Sequence, residues 1–212
     1  MGPGPAHIAG PGDTRLLSGM TRPRRLPELR IACPDWLEEQ LDWDKLYETD
    51  EDRMEVALAC ARENVTRRTG GPFGAAIFES ESGRLVAAGV NLVVPLHNSS
   101  LHAEIVAFMM AQEAVGSYTL QRPDLPAHEL HTSCEPCAMC LGAVQWSGVR
   151  RVVWSALRED AGDIAFDEGP VFEASYEYLR LRGIEFTAGV RRDEGRAVLD
   201  LYRRTGGVIY NA

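Results

Sequence analysis

Two short runs hold the residues of this chain best suited to chemistry: His102-Ala103-Glu104, and further on Pro136-Cys137-Ala138-Met139-Cys140. One histidine and two cysteines offer an imidazole and two thiolates, a donor set that zinc prefers. A catalytic zinc keeps its fourth position open for water, whereas a structural zinc closes it with a fourth protein ligand. Glu104 is not needed as a ligand and is the right group to move protons on and off that water. The expectation is therefore one Zn2+ per chain on His102, Cys137 and Cys140, with Glu104 as general acid–base.

Each half is weak alone, since H-x-E occurs by chance and C-x-x-C also marks redox sites and zinc ribbons. Together, in this order, they form the signature of zinc deaminases that act on bases and nucleosides. Cys134 extends the cysteine run to C-x-x-C-x-x-C and opens two other readings. An iron–sulfur set wants another cysteine soon after, and none follows Cys140. A closed zinc site with Cys134 as fourth ligand leaves Glu104 without a role. The plainer reading of Cys134 is a small buried residue at a strand end.

The elements that must position these groups are legible around them. Pro136 precedes Cys137 and Cys140, and Leu141, Ala143 and Val144 follow, which predicts a helix to about Trp146 with both sulfurs on one face of its N-terminus. There the helix dipole favours thiolate. Asn98-Ser99-Ser100 offers caps before His102, and the apolar run Ile105 to Met109 predicts a second helix to about Val115. Two positive helix ends can share a cation only once thiolates are present. Upstream, Thr49 and Asp52 cap a helix through Met54 and Ala61, ended by Gly70-Gly71. Strands are predicted over 72–79 and 85–94 as a hairpin, then over 128–133, 149–155 and 184–187, with helices near 172–182 and 193–204. His97, His128 and His131 lack ligand-like spacing and read as surface or strand residues. This order gives an α/β fold with a mixed central sheet of about five strands, covered by helices on both faces in three α-β-α layers.

The chain has 212 residues, 45% hydrophobic and 25% charged, ordinary for a globular protein. Residues 1–25 read as a disordered leader, 26–48 as a segment packing on the domain through Trp36, Trp43 and Tyr47, and 49–212 as the zinc-dependent domain. No stretch approaches the ~20 apolar residues of a membrane span. The leader lacks the apolar core of a secretory signal. Five cysteines, three clustered at metal spacing, give no disulfide framework and point to a reducing cytoplasm. A net charge of −9 argues against a nucleic-acid partner. The basic group Arg191, Arg192, Arg196, Arg203 and Arg204 is interleaved with acids and reads as a solvated helix face.

The chain resembles the cytidine-deaminase superfamily over residues 50–212, and within it bacterial guanine deaminases. The resemblance rests on Gly70-Gly71-Pro72-Phe73, Gly89-Val90-Asn91, His102-Ala103-Glu104-Ile105, Ser133-Cys134-Glu135-Pro136-Cys137, Trp146-Ser147-Gly148-Val149, Phe166-Asp167-Glu168-Gly169-Pro170 and the ending Gly207 to Ala212. It implies hydrolysis of guanine to xanthine and ammonia, with Asn91 bonding the base and Glu168 as a second catalytic carboxylate. It also implies that Phe73, Trp146, Phe166, Asp167 and Tyr210 contact the substrate. It further implies a cytoplasmic homodimer, with a C-terminal segment that can swap between subunits.

On the residues alone, Asn91 also reads as a turn residue, Phe166 to Glu168 as an acidic turn, Phe73 and Trp146 as core, and Tyr210 as surface packing. A nucleoside, cytosine-type or aminated-triazine substrate shares the zinc motif. A tRNA-editing deaminase is disfavoured by the acidity. A non-catalytic zinc-stabilised module has no use for Glu104.

Overall fold

The computed structural model describes residue 26 and residues 28–211; the expected leader, residues 1–25, lies outside them. Among the described residues, those up to Ile31 fall in a unit of their own, which holds an Arg30–Glu28 ion pair. The second unit starts at Ala32. Its elements are α1 (Asp35–Gln40), α2 (Asp50–Thr66), β1 (Gly74–Glu79), β2 (Leu85–Val90), α3 (Ala103–Ala114), β3 (His128–Cys134), α4 (Ala138–Ser147), β4 (Arg151–Ala156), α5 (Arg158–Gly162), α6 (Glu173–Leu181), β5 (Glu185–Thr187) and α7 (Arg192–Arg204). The helices α1 and α5 are additions to the sequence reading. The predicted strand over 85–94 is shorter, because residues 91–98 leave the sheet for turns.

The five strands run in the order β2-β1-β3-β4-β5. β1 is antiparallel to both β2 and β3, while β3, β4 and β5 are parallel. Alternate side chains divide between two cores, as the pleat requires. Leu130, Val152 and Trp154 pack with Phe108, Leu141, Val144 and Leu179 from α3, α4 and α6. On the opposite face Val153 packs with Met54, Ala57 and Leu58 of α2, and α7 continues that layer with Val198 and Leu199. This is the three-layer arrangement expected of the alternating strands and helices.

Three local features place the site. Thr49 caps α2, its hydroxyl accepting the N–H of Asp52 at 3.1 Å. Gly89 lets the start of α3 lie directly on β2, since a Cβ there would stand 2.4 Å from the carbonyl oxygen of Ala103. The parallel strands β3 and β4 both feed helices at their carboxyl ends, where α/β sheets gather their functional loops. His128 and His131 are buried strand residues. His131 bonds Glu129 at 2.7 Å, and Glu129 also pairs with Arg53. Arg191, Arg192 and Arg203 pair with neighbouring acids, among them Glu194, Asp160 and Asp200, as a solvated face does.

Candidate active site

His102 and Cys137 occupy equivalent places: each is the residue immediately before the first turn of its helix, α3 and α4. Backbone N–H groups at such a position lack helical partners. Cys137 meets one of them, its sulfur accepting from the N–H of Cys140 at 3.5 Å. Cys137 Sγ also lies 3.5 Å from His102 Nδ1. The donor atoms of His102, Cys137 and Cys140 all lie within 4.8 Å of one another. Hydrogen bonding from Cys140 above all, with His102 adding to it, holds the Cys137 thiol down at about 4, as a thiolate.

Glu104 sits one residue into α3 and is 6% exposed. Burial first, then the charge of Cys137, pushes its carboxyl up to about 7. Burial and the charges of Cys137 and Glu104 push Glu168 up to about 8. Two carboxylates and a thiolate thus crowd one small region. A dication held by the imidazole and two thiolates would reverse that local field. The residues present therefore fit zinc, and they leave both carboxylates outside the ligand group.

A cavity of about 10 Å³ lies against this group, lined by Phe73, His102, Glu104, Cys134, Glu135, Cys137, Glu168, Tyr210 and Asn211. That volume is on the scale of one water molecule. Its roof is the C-terminal segment. The Tyr210 hydroxyl accepts from Asn91 Nδ2 at 2.7 Å, and the Tyr210 ring contacts those of His102 and Phe166. Asn211 Nδ2 donates to the carbonyl of Asp167 at 2.7 Å, while its Oδ1 is buried without a partner.

The structure brings together His102, Cys137, Cys140, Glu104, Glu168, Phe73, Asn91 and Tyr210. Phe166 stands behind Phe73, with ring centroids 5.1 Å apart. Trp146 does not reach the site, because it is 75% exposed on the outside of α4. At 100° per residue it lies about 180° around the helix from Cys137. Asp167 is exposed and turns to its own loop, where its carboxylate accepts from Gly169 at 2.8 Å. Cys134 lines the cavity but stays out of the three-residue ligand group, with its thiol 3.7 Å from the Leu157 carbonyl. Glu135 and Asn211 are lining residues that the sequence reading did not single out. Glu135 stood inside the cysteine motif, whereas Asn211 carried no spacing signal.

Comparison with known proteins agrees with this geometry. Residues 47–156 match the cytidine and deoxycytidylate deaminase zinc-binding region. The chain is 38% identical over 131 residues to a guanine deaminase of Bacillus subtilis (strain 168), covering 62% of this chain and 78% of that protein. Among solved structures it is similar to guanine deaminase from Nitrosomonas europaea, with 44% identity and a TM-score of 0.79 over 84% of this chain and 97% of that one. A structure in complex with 2,6-diaminopurine is also similar, with 45% identity and a TM-score of 0.80 over 86% of this chain and 96% of that one.

Proposed function

The chain belongs to the cytidine and deoxycytidylate deaminase zinc-binding family, and from that premise we propose that it hydrolyses guanine to xanthine and ammonia. The observation that carries the reading is the placement of Glu104 and Glu168 on one cavity with the metal-binding residues His102 and Cys137. The similarity to two guanine deaminases supports the choice of base.

Zinc bound by His102, Cys137 and Cys140 supplies a Lewis acid that makes water nucleophilic near neutral pH. Glu104 takes the proton that the attacking water loses and passes it to the ring nitrogen beside the amine-bearing carbon. A C–O bond forms there, and the C–N bond to the amine then breaks. As the C=O bond forms, Glu104 takes the remaining proton of the new hydroxyl and delivers it, directly or through Glu168, to the departing amine, which leaves as ammonia. Asn91 orients the base through its side-chain amide, and Phe73, backed by Phe166, packs against the ring. A purine is far larger than the water-sized cavity, so Tyr210 and Asn211 must move aside to admit it. Asn91 Nδ2, now donating to the Tyr210 hydroxyl, becomes free for a base acceptor when they do.

The protein acts in the cytoplasm on this reading, in keeping with free cysteines throughout the described residues. Among those residues no helix is long and apolar enough to cross a membrane. A homodimer is supported by the outer surfaces of α4 and α6, where Met139, Trp146, Tyr178 and Phe172, the residue before α6, are exposed. They neighbour a groove of about 460 Å³ floored by Leu141, Gly142 and Leu179. Tyr210 of the C-terminal segment bonds Asn91, so the same segment, from its own chain or from a partner's, would close the site.

Ammonia release from the zinc-loaded protein, measured across guanine, guanosine, adenine, cytosine, cytidine and aminated triazines, tests the proposal. Guanine should show the highest kcat/KM. Equal or better turnover of cytidine or any other member would refute it.

A further inference from the structure

We propose that Asn64 is a positioning residue for the base site, setting Asn91 through a buried hydrogen-bonded chain that runs out through Thr69 to Trp36 of α1. The inference rests on the reading that Asn91 holds the base.

Asn64 lies in the last turns of α2 and has no exposed surface. A carboxamide is costly to bury unless its donors and acceptor are all engaged. Here they are. Nδ2 donates to the carbonyls of Gly71 at 2.8 Å and Asn91 at 3.0 Å. Oδ1 accepts from the Thr69 hydroxyl at 2.7 Å, and that hydroxyl accepts from the Trp36 indole N–H at 3.1 Å. With its hydroxyl hydrogen committed to Asn64 and a lone pair to Trp36, Thr69 fixes which end of the amide faces the two carbonyls.

The chain terminates on Asn91 from several sides. Asn91 N–H donates to the Phe73 carbonyl at 3.0 Å, and its own carbonyl accepts from Gly71 N–H at 3.3 Å as well as from Asn64. Pinning both backbone groups fixes the direction in which the Asn91 side chain leaves the backbone, toward Tyr210. The glycine pair makes this approach possible. A Cβ on Gly70 would stand 2.0 Å from the Asn91 carbonyl oxygen and 2.6 Å from Asn64 Nδ2. One on Gly71 would stand 2.8 Å from Asn91 Oδ1. The helix end, the glycine turn and the end of β2 thus meet at one amide. Phe73, which lines the cavity, is tied in through its carbonyl. This gives α1, which lies outside the metal motifs, a connection to the substrate wall.

A tie that only holds the fold together would lower stability without regard to Asn91. A positioning role predicts coupling, which a double-mutant cycle reads directly. Asn64→Leu keeps the branching at Cγ and removes the amide; Thr69→Val keeps the shape and replaces only the hydroxyl. In zinc-loaded protein, Asn64→Leu should lower kcat/KM for guanine on the order of 10-fold, mainly through KM, as loss of a buried hydrogen-bonding group does. Thr69→Val should act in the same direction by about 3-fold. In an Asn91→Ala background each change should cost less than about 2-fold more, because its target is gone. Unchanged kinetics in the folded single variants, or full additivity with Asn91→Ala, would overturn the inference. If Asn64→Leu does not fold, the Thr69→Val cycle decides by the same criteria. Wild-type protein that does not deaminate guanine would remove the premise and this inference with it. Guanine turnover that is indifferent to both changes would sink the inference alone.

Discussion

The backbone carbonyl of Glu168 accepts the N–H of Ala138 at 2.9 Å, so the second carboxylate of the site is fastened to the first turn of the helix that carries both cysteines. Ala138 directly follows Cys137, and its N–H is one that the start of a helix leaves unpaired. Any shift of α4 therefore moves Glu168 with it. The loop carrying Glu168 is held again further on, where Arg158 Nη1 donates to the Val171 carbonyl at 3.3 Å.

Glu168→Gln should bind one zinc per chain and fold normally, because the tie to Ala138 runs through the backbone. Its guanine kcat should fall on the order of 10²-fold if the carboxyl moves a proton in the reaction. Metal analysis and steady-state kinetics on the same sample check this, and wild-type turnover would remove Glu168 from the proposed mechanism.

Cys134→Ser should retain stoichiometric zinc. The thiol of Cys134 faces the Leu157 carbonyl at 3.7 Å and lies outside the group of donor atoms formed by His102, Cys137 and Cys140. Zinc lost from this variant on dialysis would mean a closed four-ligand site.

Acid should weaken the protein partly through Asp160. Its carboxylate accepts from Arg192 at 2.9 Å and from the backbone N–H of Leu157 at 2.8 Å, linking the start of α5 to α7. The Arg192 guanidinium above all holds its pKa below the ordinary 3.8. A lowered folded-state pKa gives stability that is present above the unfolded value and lost as pH falls through the folded one. The thermal midpoint of the wild type should thus fall more steeply than that of Asp160→Asn as pH drops below about 4. Parallel curves for the two proteins would show that the pair contributes nothing to acid sensitivity.

Much of the site was readable because metal ligation leaves a local signature. His102 and the Cys137–Cys140 pair each sit at the head of an apolar helix where the periodicity places it, but the expected caps Asn98 to Ser100 do not cap α3: His102 itself is the cap residue, and Asn98 bonds Ser100 in its own turn. The strands of the sheet were legible for a similar reason, since runs such as Val152-Val153-Trp154 are buried on both faces. Helix α1 was missed because six residues of mixed acid and apolar character carry too little periodicity. Trp146 was misplaced although helical geometry alone puts it opposite Cys137. The Asn64–Asn91 bridge and the partnerless Asn211 Oδ1 depend on residues far apart in sequence meeting in space, which no local pattern encodes.

Conversion of guanine to xanthine by wild-type protein and by Glu104→Gln, at matched zinc content, is the most direct test of a proton-carrying carboxylate beside a three-ligand zinc site. The variant keeps the shape of Glu104 and leaves His102, Cys137 and Cys140 untouched. The predicted result is clear turnover by the wild type and a loss on the order of 10²–10⁴-fold in the variant. Near-normal turnover by zinc-loaded Glu104→Gln, or no guanine turnover by the wild type, would contradict it.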